Sequence, residues 1–82
     1  RQHGVVGFVR RYAARAWQAS RAFPRMEKGL RDRAAELGYT IELFHSASPA
    51  EDARLSRVLL ARGVRGVVLA PLPPGQSSYA LD

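Results

Sequence analysis

Gly63-Val64-Arg65-Gly66-Val67-Val68-Leu69-Ala70-Pro71-Leu72-Pro73-Pro74 is the stretch on which the fold of this chain turns. It opens on a glycine suited to end a helix, runs through apolar and small residues, and closes in a proline-rich loop. An apolar run without polar alternation predicts a strand covered on both faces, as in the interior of a parallel sheet. The segments before it must then supply the neighbouring strands and the covering helices.

Upstream, Gly4 to Val9 is rich in β-branched and aromatic residues and predicts a first buried strand, flanked by His3 and by Arg10-Arg11. Its glycines do not form a dinucleotide fingerprint, because the turn that follows carries none. The segment from Arg10 to Ala22 favours helix by its alanines and arginines, yet its position after a strand also suits a long binding loop. Tyr12 and Trp17 each offer a flat apolar face and a polar edge, fit either to stack on a ligand or to plug the domain's own core.

A helix is expected from near Ser20 to Leu37, with Met26, Leu30, Ala34 and Leu37 as the stripe facing the sheet. Ser20 suits its cap, or Pro24 its first turn, and Gly38 ends it. Gly29, inside this helix, is explained if another backbone or helix comes close there. Tyr39 to Phe44 alternates as an edge strand does. Ser48-Pro49-Ala50-Glu51 is a capping box with proline at the first helical position, followed by Leu55, Val58 and Leu59 as an inward stripe that Gly63 stops.

The order strand, helix, strand, helix, strand predicts an α/β fold: a three-layer parallel sheet with right-handed crossovers, strand order 2-1-3 and helices on both faces. Ligands of such sheets bind beyond the carboxyl ends of the strands. The 10–20 loop, His45-Ser46 and Pro71-Leu72 then share one rim.

Composition bounds the function. With 82 residues and 46% hydrophobic content the chain is one small domain or a piece of a larger one, not a disordered tail. Cysteine is absent, which removes disulfide and thiolate-metal staples. The net charge of +6 comes almost wholly from arginine. Arg31, Arg33, Arg54, Arg57, Arg62 and Arg65 alternate with acidic residues as on a solvated face rather than a nucleic-acid interface. No run approaches the roughly 20 apolar residues of a membrane span. The N-terminus Arg1-Gln2-His3-Gly4 lacks the apolar segment of a signal peptide, and the chain is expected to begin partway into a longer protein. No serine sits in a nucleophile-elbow pattern, and His3 and His45 make a poor metal set, so no metal or cofactor is expected, and an enzyme of the flavodoxin-like α/β class is a third choice on fold grounds alone.

Gly4-Val5-Val6, Lys28-Gly29-Leu30, the run Ala34-Ala35-Glu36-Leu37-Gly38-Tyr39, and Leu59 through Leu69 together resemble the effector-binding core of the LacI/GalR transcription regulators. The resemblance covers nearly the whole chain, and Ser20-Arg21-Ala22-Phe23 stands where that family usually has an Asn-Pro-Phe-Phe-like run. It implies that residues 1–82 are a fragment of the N-terminal subdomain of a periplasmic-binding-protein-like (Rossmann-like) core, without the second subdomain. A small-molecule effector, a sugar first of all, would bind between the two. Operator DNA would be contacted only through a headpiece outside these residues, in a cytoplasmic homodimer joined at the first helix. By position Tyr12, Trp17, Ser20 and Phe23 would line the effector cleft, with His45 or Ser46 at the second rim. The alternatives for Ser20 and His45 are a helix cap and a solvent-facing histidine. A periplasmic sugar-binding component of an uptake system shares the fold and is the competing reading.

Overall fold

A computed structural model describes residues 4–76 and 78–81; the expectations attached to Arg1, Gln2 and His3 fall outside that range. The elements follow in the order β1 (Gly4–Arg10), α1 (Ala14–Ala19), α2 (Ala22–Glu36), β2 (Tyr39–His45), α3 (Pro49–Ala61) and β3 (Gly66–Leu69). All pairing is parallel and the sheet order is β2-β1-β3, as the alternation of strands and helices predicts. Gly4 lies opposite Tyr39 and Arg10 opposite His45, while Val6 to Val9 pair with Gly66 to Leu69. The carboxyl ends of the strands therefore open on one edge of the sheet.

The strand covered on both sides is β1, not the Gly63–Pro74 stretch. Gly7 to Arg10 are buried, whereas β3 is a short edge strand with Val67 41% and Leu69 46% exposed. An apolar run reports what a strand wants to touch, not how many neighbours it has, and β3 has a partner on one side only. Gly7 shows how tight the centre is. A Cβ there would meet the Phe44 ring and Val67 Cγ1 at 3.3 Å.

One face of the sheet packs against α1 and α2 through Phe8, Trp17, Ala34, Ile41 and Ala70. On α2 the inward stripe is Phe23, Leu30 and Ala34, and Met26 and Leu37 stand 44% and 51% exposed. At about 100° per residue those two positions fall to one side of the stripe's centre, which an apolar count along the sequence does not distinguish. Gly29 is exposed and has no neighbour within 4 Å of a built Cβ, so no other part of the described chain comes close to it.

On α3 the inward face is Asp52, Leu55, Ser56 and, partly, Leu59. Val58, expected inward, is 40% exposed, because the helix is anchored by a polar pair that a hydrophobic pattern overlooks. Its start makes the Ser48 half of the capping box, while the Glu51 side chain takes the amide one residue ahead of the cap. Ser48 Oγ accepts from the Glu51 amide at 3.3 Å, while Glu51 Oε1 reaches back to the Ala47 amide at 3.0 Å.

The segment after β1 is not an open loop. Residues 14–19 form the one short helix α1, whose Trp17 is fully buried, and Ser20 then accepts from the amides of Ala22 and Phe23 at 3.2 and 3.1 Å. Helix propensity and one sealed aromatic settle what composition leaves open.

Candidate functional site

The carboxyl edge of the sheet holds two ion-paired arginines that leave β1 side by side. Arg10 sits over the Trp17 ring, 4.7 Å from its centroid, and donates to Glu27 Oε1 at 3.3 Å. Glu27 also accepts from Trp17 Nε1 at 2.9 Å and from Arg31, which fixes the indole from the α2 side. Arg11 turns toward the other layer and meets Asp52 with both guanidinium ends, at 2.8 and 3.0 Å. Both side chains of that pair are completely buried.

Asp52 is saturated with donors. Besides Arg11 it accepts from Ser46 Oγ at 2.6 Å and from the Ala80 amide at 2.7 Å. Burial pushes the carboxyl up, but the hydrogen bonds from Arg11, Ser46 and Ala80 and the adjacent Arg11 charge outweigh it and hold the group below its ordinary value. Asp52 is thus an ionised tie rather than a proton acceptor in waiting. Arg11 completes the knot by donating to the Ser78 carbonyl at 2.9 Å and packing over the Tyr79 ring. Tyr79 donates its hydroxyl to the Ala70 carbonyl at 2.7 Å; burial chiefly, with Asp52 nearby, raises its pKa against the opposing Arg11 charge. Nε of Arg10 and of Arg11 lacks a partner among the described residues.

This knot joins the end of β1, the end of β2, the first turns of α3 and the segment after β3. Beside it lies a groove of about 370 Å³, walled by Ala47, Ser48 and Pro49 on one side and Gly75, Gln76 and Ser78 on the other. Its lining mixes the hydroxyls of Ser48 and Ser78 and the Gln76 amide with the apolar Ala47 and Pro49, and carries no charged side chain. Its place, past the strand ends and between the β2 and β3 connections, is where sheets of this winding hold ligands.

The six residues singled out from sequence divide sharply. Trp17 has no exposed surface; it stacks on Phe23 with centroids 4.6 Å apart and meets Phe8 edge-on at 5.7 Å. Tyr12 and Phe23 are half-buried and packed on each other at 5.1 Å. Trp17 therefore presents no face to a ligand, while Tyr12 and Phe23 keep part of their surface open. Ser20 caps α2. His45 is exposed, beside Glu51, Arg54, Leu55 and Val58 in a shallow depression away from the groove walls. Ser46 reaches the rim, but as a buried donor to Asp52.

Sequence reasoning missed Arg11, Asp52, Ser78 and Tyr79. Arg11 and Asp52 stand 41 positions apart, and nothing in either neighbourhood sets them off from surface charges. The capping box alone was a pointer, since it sets the helical phase that turns Asp52 inward. No helix among the described residues is long and apolar enough to cross a membrane, and no group of three metal-ligating side chains occurs among them. Comparison of the chain with protein-family models, curated proteins and solved structures returns no match.

Proposed function

We propose that this chain is the small-molecule-sensing part of a DNA-binding transcriptional regulator of the LacI/GalR type, its N-terminal subdomain, with a sugar as the first class of effector. One observation carries the reading: a parallel sheet in the order β2-β1-β3 whose carboxyl edge bears an uncharged groove of about 370 Å³. Hydroxyls, a side-chain amide and backbone groups are the donors and acceptors that polyols exploit. The groove walls are Ser48, Gln76 and Ser78 rather than the aromatics, and the Arg11–Asp52 knot holds those walls at a fixed spacing.

Within this reading the protein acts as a cytoplasmic homodimer joined through α2, where exposed Gly29 leaves room for a second backbone. Operator DNA is contacted by a headpiece outside these residues. The test is calorimetric titration of the complete gene product with neutral sugars and purines, paired with a gel shift on the DNA upstream of its own gene. A small molecule that binds and alters the shift is the expected result. Binding without any DNA affinity, together with a signal peptide encoded ahead of Arg1, would hand the chain to the transport reading instead.

A further inference from the structure

The net charge of the chain is confined to one end of it. Arg1, Arg10, Arg11, Arg15, Arg21 and Arg25 all precede the first acidic residue, Glu27, and from there on seven basic residues are balanced by seven acidic ones. Two of the six are neutralised inside the fold, Arg10 by Glu27 and Arg11 by Asp52. The remaining described members, Arg15, Arg21 and Arg25, are exposed, and none has an ion pair or side-chain hydrogen bond among the described residues. Further along α2 the pattern changes. Lys28, Arg31 and Arg33 each hold a carboxylate three or four residues away.

The topology fixes where the unpaired arginines stand. α1 and the start of α2 follow the carboxyl end of β1, so Arg15, Arg21 and Arg25 lie at the edge on which the groove opens. We infer that the effector carries a negative charge, as a sugar phosphate does, and that Arg21 and Arg25, four residues apart, receive that charge with Arg15 while the uncharged groove takes the polyol. This rests on the effector reading above and narrows its ligand class. Three unpaired cations at one rim raise the local concentration of an anion and offer forked donors suited to phosphate. Operator DNA is the less fitting occupant. Gly4, through which any headpiece would have to connect, lies at the opposite, amino edge, roughly 20 Å away along the seven residues of β1.

The experiment is calorimetric titration of the complete gene product with glucose, galactose and ribose, each free and as its monophosphate. Arg21→Gln/Arg25→Gln is compared with Arg57→Gln, which removes an exposed charge on α3, and circular dichroism checks that each variant is folded. The expected result is at least one monophosphate bound roughly tenfold or more tighter than its free sugar, with that preference lost in the double variant and kept in Arg57→Gln. Free sugars bound as well as or better than their monophosphates would overturn the charged effector and leave the sensing role standing. No sugar of either kind bound would remove both. A short duplex bound in a salt-dependent manner, with the slope reduced by the double variant, would also overturn the inference and make the arginines a nucleic-acid contact.

Discussion

Replacing Asp52 by alanine tests the central knot most directly. The substitution deletes the acceptor of four hydrogen bonds, two from Arg11 and one each from Ser46 and the Ala80 amide. What remains is an arginine side chain with no exposed surface, left with the backbone carbonyls of Ser46 and Ser78 and the Ser46 hydroxyl as its partners and no opposite charge. Breaking a buried pair from one side costs about 3–5 kcal/mol, because the surviving charge is uncompensated. A domain of this length has a total stability of about 4–12 kcal/mol, so the loss is a large share of it. Urea unfolding followed by far-UV circular dichroism should show the midpoint falling by about 3 M, or no folded baseline at all. The charge argument also says what repairs the damage. Arg11→Met with Asp52→Leu removes both ions and should recover most of the lost stability. A loss below about 1 kcal/mol for Asp52→Ala, the scale of an exposed pair, would refute the reasoning. So would a double variant as unstable as the single one.

Three further outcomes follow from the same geometry. The Asp52 carboxyl is held below its ordinary value in the folded chain, so its stabilisation is complete above the usual carboxylate range and is lost as pH falls through the lowered value; urea midpoints should drop on acidification, and the Arg11→Met/Asp52→Leu double variant should flatten that limb. Gly29→Ala meets nothing within 4 Å and sits inside an exposed helix, so it should add about 0.5–1 kcal/mol in chemical denaturation, while weakening self-association in sedimentation if α2 is the subunit contact. Ser48→Ala removes the cap of α3 and should cost about 1 kcal/mol, read in the same denaturation series, with Ser48→Gly costing only a few tenths.

Much of the architecture was written in local signals. The capping box at Ser48 to Glu51 placed α3 correctly because a cap is made by residues three apart, and Gly38 ends its helix region with a φ of +88°, a conformation glycine adopts freely. The alternation of strand and helix gave the parallel sheet, and its order followed once the first strand was set at the centre. What stayed hidden depended on distant partners. The run at Val67 to Leu69 looks the same whether a strand is central or at an edge. Trp17 looks the same as a ligand platform or as core, and the deciding contacts come from Phe8 and Glu27. The largest omission, Arg11 with Asp52, joins two charges that in sequence are ordinary members of a basic and an acidic set. Only the chain path brings them together, and no periodicity reports that.

Trp17 has a practical consequence beyond packing. It is the chain's single tryptophan, cut off from water, hydrogen-bonded through its indole nitrogen and capped by a guanidinium. Its emission in the intact protein is therefore that of one homogeneous, solvent-shielded fluorophore that reports on α1. Any loosening of α1 exposes the indole to water and shifts the spectrum to the red, so the seating of α1 on the sheet can be followed by intrinsic fluorescence, without a dye.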